Sequence, residues 1–502
     1  MTKRIAAPIL LSCLLLIALV APAQNPAPGS EVIPVNVAGP TSPFPHFWEQ
    51  MFGSGRAVLS LRDSYRRDLN WVHQITGFEY VRFHAIFHDD MGVYDEDAQG
   101  RPVYNFTYVD QVYDGLLQHG VRPFVEISFM PRKLAALPVL HPFWYHPSPS
   151  PPKDYAKWDA LITAFARHLI DRYGIEEVSK WYFEVWNEPN IDFWAGDPKQ
   201  ATYFELYDHT ARALKAVNPR LRVGGPATAQ AAWAPEFIQH VVQANVPADF
   251  FSTHVYANDT ATDVFGTNEN IPRDKMVCRA VKKVHDQIKA SARPNLPLIW
   301  SEYNASYKNE PEITDSVFMA PWLADTIRQC DGLVNIMSYW TFSDVFEEQG
   351  VVKQPFYGGF GLVAAGGLPK PAFNAFKVLH LLGDRRLPLR SEHALATKRG
   401  KSLILAAWNL VLPGESGSPS SITFELNGLS GQHSAHVYRV DNTHGSLLNA
   451  YRMMGSPATP TQAQLQQLRD AAQLGSPQQE TVNGNRLSIN LPAQSLAVIE
   501  IQ

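Results

Sequence analysis

Cysteine is scarce in this chain: three residues among 502, at positions 13, 278 and 330. Cys13 lies in a leader described below, so only Cys278 and Cys330 remain, and a disulfide-stapled scaffold is excluded. Whether those two pair or stay as two separate buried thiols is open at the level of sequence. An excess of positive charge is also missing. The net charge is −5 and charged residues make up 18%, which leaves no electrostatic footprint for nucleic acid. There is no internal repeat and no HExxH spacing for a metal on a helix. The longest apolar run, Ile9–Val20, is too short to make a convincing membrane span, so no stable membrane association is expected. Lys3 and Arg4 precede that run and the small residues Ala21-Pro22-Ala23 follow it, which reads as an export signal over residues 1–23 and a periplasmic or extracellular destination. Leu10-Leu11-Ser12-Cys13 faintly resembles a lipoprotein cleavage box, but cleavage there would leave an apolar stretch behind it.

What the chain does have is apolar and aromatic bulk: 45% hydrophobic residues, with 12 Trp, 19 Tyr and 26 Phe. That suffices for a large core in a chain too long for one ordinary compact domain. After a Pro-, Gly- and Ser-rich segment (24–46) holding one strand-like run, Val32–Val37, strand-like and amphipathic stretches alternate from 47 to 382. The strand candidates are 47–52, 80–86, 122–129, 181–188, 221–226, 249–256, 296–303 and 333–340. The helical candidates include 60–77, 107–119, 154–173, 199–217, 275–290 and 313–328. Eight such alternations predict a (β/α)8 TIM barrel. The Pro- and His-rich stretch 135–153 predicts a loop over the barrel mouth. From 383 to 502 short alternating runs separated by Gly, Pro, Asn and Ser predict a C-terminal β-sandwich accessory domain, interrupted by a helix at 461–474. The strand near residues 31–38 could join that sandwich.

The chemistry is sought where strands end. Trp181-Tyr182-Phe183-Glu184-Val185-Trp186 is a buried-strand pattern that switches abruptly to Asn187-Glu188, and Pro189 forbids further ladder pairing. A carboxylate at that junction either caps the next segment or sits in an active site at the barrel's C-terminal face. Leu298-Ile299-Trp300-Ser301-Glu302 repeats the pattern on the seventh strand. Two carboxyls facing each other across the mouth are what glycoside hydrolysis needs, one as acid and the other as nucleophile or base. Proximity sets their roles: an ionised Glu302 raises the pKa of Glu188 and keeps it protonated. Arg82, near the end of strand two, either holds Glu302 ionised or ties strands together, and the two are compatible. His84, His88-Asp89-Asp90, His254, Tyr256, Trp340, Asp344, Glu347 and Glu348 also gather at strand ends. The His and Asp residues admit a metal reading, but sugar hydroxyls need the same donors and acceptors, so no metal and no cofactor is expected. Trp340 reads as a sugar platform or as core filling.

The ordered set Phe47-Trp48, Gly53-Ser54-Gly55-Arg56-Ala57, Val81-Arg82-Phe83-His84, Phe87-His88-Asp89-Asp90, Trp186-Asn187-Glu188-Pro189-Asn190, Ser252-Thr253-His254, Trp300-Ser301-Glu302-Tyr303 and Ser338-Tyr339-Trp340-Thr341-Phe342-Ser343-Asp344 resembles glycoside hydrolase family 39, the family of β-xylosidases and α-L-iduronidases. The motifs span 47–382 in the family's order, and the sandwich tail matches its accessory domain. The resemblance implies retention, with Glu188 as acid/base, Glu302 as nucleophile and Asn187 bonding the sugar 2-hydroxyl. It implies a glycone pocket lined by His84, His254, Tyr256, Trp340, Glu347 and Glu348, with Phe129 at its wall. Iduronidases resemble the strand-six motif but carry a Lys where this chain has Tyr256, and a buried uronate without a cation is costly. The implied activity is therefore an exo-acting β-D-xylosidase on xylo-oligosaccharides. An arabinosidase or exopolysaccharide glycosidase of the same family, a non-catalytic carbohydrate-binding barrel and a metal-dependent hydrolase are the competing readings. Chelator sensitivity separates the last of these.

Overall fold

The apolar runs close on themselves. In the computed structural model, which describes residues 29–482 and 484–502, eight parallel strands form a closed barrel: β1 (Met51–Gly53), β2 (Tyr80–Phe83), β3 (Arg122–Ile127), β4 (Tyr182–Val185), β5 (Arg222–Thr228), β6 (Phe250–Tyr256), β7 (Leu298–Asn304) and β8 (Ile336–Tyr339). All eight lie within or against the predicted segments. Helices α1 (Asp63–Thr76), α2 (Thr107–Gln118), α3 (Tyr155–Tyr173), α4 (Lys199–Val217), α5 (Ala234–Gln243), α6 (Met276–Lys289), α7 (Met319–Cys330) and α8 (Pro371–Leu379) return the chain between and after them. The export signal proposed for residues 1–23 lies outside the described residues. No described helix is long and apolar enough to cross a membrane.

Period-two alternation fills the barrel in layers. Met51, Tyr80, Phe124, Tyr182, Phe250, Ile299 and Ile336 point inward from seven strands and form an apolar plug. Gly224 of β5 has no side chain because a Cβ there would come within 2.5 Å of the Phe250 carbonyl oxygen. Two residues further along, the inward positions of six strands turn polar: Arg82, Glu126, Glu184, Ser252, Ser301 and Ser338, all buried. Above that layer the barrel opens at its C-terminal face.

The tail folds as a two-layer sandwich. One sheet has seven strands in the order 42–43, 385–387, 394–399, 402–409, 495–501, 433–440 and 478–482; the other has Ser30–Asn36, Ser420–Asn427 and Arg486–Leu491. Ser30–Asn36 runs parallel to Ser420–Asn427, from the pair Ser30 and Ser421 to the pair Asn36 and Asn427. Ser402–Asn409 shows why its sequence lacks a polar face. Leu403, Leu405 and Ala407 face the other sheet, while Ile404, Ala406 and Trp408 join the barrel's core on the side of α7. The predicted helical insert is Gln462–Ala471, and a second helix, Leu448–Met453, precedes it outside the predicted span. Cys278 on α6 and Cys330 at the end of α7 are joined as a disulfide, with Cα atoms 5.1 Å apart.

Candidate active site

Glu188 and Glu302 reach the same space by different backbone devices. After β4 the chain takes left-handed conformations at Trp186 (φ 72°) and Glu188 (φ 43°), and the Glu188 N–H donates to the Ala227 carbonyl at 2.8 Å. Non-glycine residues hold such angles only where their surroundings over-determine them. Here the turn swings Glu188 over the barrel mouth. Glu302 instead lies within β7, at a bulge: Thr253 pairs with Trp300 but His254 pairs with Glu302. The skipped residue lets Ser301 and Glu302 both point inward although they are adjacent in sequence. An oxygen of Glu302 lies within 4.8 Å of one on Glu188.

Arg82 is the hub below them. Fully buried, it donates from Nη1 to Glu302 Oε1 (2.5 Å), from Nε to Glu184 Oε2 (2.6 Å) and from Nη2 to Asn187 Oδ1 (2.9 Å), and Nη2 also lies 2.8 Å from Glu126 Oε2. It therefore both ties β2 to β3, β4 and β7 and pairs with Glu302. Removing one partner of such a buried cluster typically costs about 3–5 kcal/mol, because the remaining charges are left unpaired. The Tyr256 hydroxyl donates to the other Glu302 oxygen at 2.7 Å. Burial, then Glu302 and Glu188, push that phenol well above its ordinary pKa, so it remains a donor.

Glu188 is held in its acid form. Burial raises its pKa well above the carboxylate range, Glu302 and Asp259 add to this, and Arg82 opposes it. His254, fully buried, has its Nδ1 2.9 Å from Glu188 Oε1 and its Nε2 3.1 Å from Ser301 Oγ. Burial, with Arg82 and His84 nearby, lowers its pKa well below the usual value, so the ring is neutral. Placing the proton on Nδ1 makes His254 a donor to Oε1, accepting from Ser301, and leaves Oε2 to carry the acid proton. Glu188, His254 and Glu302 also have the spacing to share a cation, but the Arg82 guanidinium already supplies positive charge at that point.

The pocket above has a volume of about 370 Å³, and His84, Asn187, Glu188, Tyr256, Glu302, Trp340 and Glu348 line it. The Asn187 oxygen is taken by Arg82, leaving its amide N–H groups as donors for a ligand. His84 Nδ1 bonds Glu126 Oε2 at 2.7 Å, and its Nε2 lies 3.5 Å from Glu348. Burial lowers the His84 pKa, but Glu126, Glu302 and Glu348 outweigh it and the net shift is upward. Burial raises Glu348 to about 8, with His84 opposing. Trp340 stands 4.8 Å from the His84 ring, and its own ring lies over β1 where a Cβ on Gly53 would meet it at 2.1 Å.

Three expected pocket residues are placed elsewhere. Glu347 turns away from the pocket to Arg56 Nη1 (3.2 Å) and Arg62 Nη1 (2.5 Å), at the start of a turn in which the Gly350 N–H donates to the Glu347 carbonyl. His254 lies beneath the pocket and touches Glu188. Phe129 is buried behind the wall, stacked at 6.1 Å on Phe193, which does line it. The lining also includes Phe143, Gln230, Asp259 and Tyr307, which the sequence reading did not single out. Phe143 belongs to the 135–153 loop, and the Trp144 N–H donates to the Glu348 carbonyl at 2.8 Å, which joins that loop to the one after β8.

Residues 31–487 match the family described as Glycosyl hydrolases family 39. The chain is 37% identical over 468 residues to a β-xylosidase of Geobacillus stearothermophilus, covering 91% of this chain and 92% of that protein. It is 36% identical over 470 residues to a β-xylosidase of Caldicellulosiruptor saccharolyticus, covering 91% and 94%. Among solved structures, a monomeric β-xylosidase from Caulobacter crescentus CB15 superposes with a TM-score of 0.86 at 36% identity, over 94% of this chain and 99% of that one.

Proposed function

The chain belongs to glycosyl hydrolase family 39, and from that premise we propose that it is a retaining β-D-xylosidase releasing xylose from the ends of xylo-oligosaccharides. The observation that carries this reading is the pair itself. Glu188 is kept protonated, and an oxygen of Glu302 lies within 4.8 Å of it. That spacing belongs with the about 5–5.5 Å of retaining enzymes and not with the about 6.5–9.5 Å that accommodates an attacking water.

In the first step a Glu302 oxygen attacks the anomeric carbon, the bond to the leaving oxygen breaks, and Glu188 gives that oxygen its proton. The product is a glycosyl ester on Glu302 and an ionised Glu188. Esterification removes the Glu302 charge that had raised Glu188, so Glu188 becomes more acidic and suited to act as base. It then takes a proton from water as the hydroxide attacks the anomeric carbon, and the ester oxygen leaves as carboxylate.

Substrate class follows from the lining. Among the described lining residues there is no Lys or Arg, Arg82 is spent on four acceptors below, and Glu348 faces the pocket. A uronate carboxylate would be unpaired there, whereas the hydroxyls of a neutral pentose find both donors and acceptors. The bond between the Phe143–Trp144 segment and the loop after β8 supports a blind end and exo action. Residues 1–23 support export to the periplasm or beyond. The test is hydrolysis of an aryl β-D-xyloside by wild type and by Glu302→Gly, with and without azide. Loss of turnover, restored by azide with α-xylosyl azide as product, is expected; an active variant without azide sinks the assignment of Glu302.

A further inference from the structure

A second cluster sits at the opposite, N-terminal face of the barrel. Just before β1, the turn Pro45-His46-Phe47-Trp48-Glu49 closes with Glu49 N–H donating to the His46 carbonyl at 3.2 Å, which brings the two side chains to the same side. His46 Nδ1 lies 2.5 Å from Glu49 Oε1. His380, the residue after α8, brings its own Nδ1 to the same oxygen at 2.9 Å. The three donor atoms lie within 4.8 Å of one another. Glu49 is buried, with a side chain 4% exposed, while those of His46 and His380 are 23% and 45% exposed.

The arrangement leaves two things unresolved in chemistry. One Glu49 oxygen takes both imidazoles, while Oε2 is buried without a partner. No Lys or Arg among the described residues pairs with Glu49, whose ion-pair partners there are His46 and His380. We propose that His46, Glu49 and His380 form a Zn²⁺ site through the two Nδ1 atoms and the Glu49 carboxylate, with water as fourth ligand on the open His380 side. Two histidines and a carboxylate are a zinc donor set, with bonds of about 2.0–2.2 Å. Tetrahedral ligands at that range stand about 3.4 Å apart, so each imidazole need retreat from Oε1 by less than about 1 Å. Binding needs each ring in the tautomer with its proton on Nε2, which leaves Nδ1 free for the metal, and the free Oε2 can share it. His46 is pre-oriented by stacking on Trp48 at 4.5 Å.

The site is structural. It joins the segment that opens the barrel to the residue that ends it, 331 positions later, on the face where residues serve stability and not turnover. A ligand that binds only the folded state stabilises it by mass action.

Chelator-stripped protein is titrated with Zn²⁺ by calorimetry and with Co²⁺ by visible absorption, and Tm is read with and without zinc. The expected result is one saturable site and a zinc-dependent rise in Tm. His380→Gln and His46→Gln each lower the affinity by more than about tenfold and abolish that rise, with kcat on an aryl xyloside unchanged. A stripped wild type without saturable binding overturns the proposal. So does binding that survives both histidine variants, and so does binding lost in Glu302→Gln instead, which would put the zinc in the sugar pocket.

Discussion

Replacing Tyr256 by Phe removes one atom from the site and separates the two chemical steps. The hydroxyl donates to Glu302 Oε2, while Arg82 keeps Oε1, so the nucleophile stays oriented after the change. A hydrogen bond to a charged group contributes about 1.5–3 kcal/mol. Before glycosylation Glu302 already bears its charge, so the bond favours the ground state at least as much as the transition state, and its loss barely slows attack. Deglycosylation runs the other way: a neutral ester becomes a carboxylate, and the bond forms as charge returns. With charge roughly half-developed, the loss costs about 0.8–1.5 kcal/mol, or about four- to thirteenfold in the deglycosylation rate. The assay is stopped-flow hydrolysis of an activated aryl xyloside, which reads a burst of phenol and then the steady state. Tyr256→Phe should lower kcat by that factor, leave kcat/KM within about twofold, and enlarge the burst as the glycosyl-enzyme accumulates. If kcat/KM falls as far as kcat and no burst develops, the hydroxyl acts on attack and the reasoning fails.

Two further changes test the framework around the pair. Glu348, raised by burial to about 8 against an ordinary carboxylate near 4.3, binds a proton more tightly in the folded state; its contribution to stability is full below about pH 4 and is lost as pH rises through about 8. Glu348→Gln should therefore gain thermal stability over wild type progressively across that window and hold the gain above it, and parallel Tm–pH curves for the two proteins would show that Glu348 does not titrate this way. Cys330→Ser opens a 52-residue separation, for which loop entropy gives about 4 kcal/mol; urea unfolding should show a loss of that order, matched by reductant in wild type, and an unchanged midpoint would mean that the thiols are not bridged.

The barrel was legible because its strands are short apolar runs ending in polarity, and Glu188 and Glu302 stand out at those ends. What sequence could not show was which way loop residues turn. Glu347 and Glu348 are adjacent acids, and no pattern says that the first faces Arg56 and Arg62 while the second faces the pocket. His254 shares a barrel strand with Tyr256 and points inward with it, yet the turn after β4 brings Glu188, and the bulge in β7 brings Ser301, against its ring and closes it off. Gln230, Asp259 and Tyr307 lie on βα loops, which have no periodicity to read. Helix α8 is short and buried on almost every side, so it carries little amphipathic stripe for a sequence pattern to show. For Arg82 the sequence allows a partner of Glu302 or a strand tie, and four acceptors around one guanidinium make it both.

Ser30–Asn36 has a consequence for how the molecule is made. This strand lies beside Ser420–Asn427 and supplies Ile33 and Val35 to the sandwich core, so the first segment of the described chain waits for nearly the last. Made from its N-terminus onward, the protein carries an unmatched strand edge throughout synthesis, and the sandwich closes only after the barrel's whole length has emerged. Loop closure over such a distance is slow, and an open edge invites pairing with another chain. A truncated product would thus be left with a sticky end, and only the complete polypeptide can cover it.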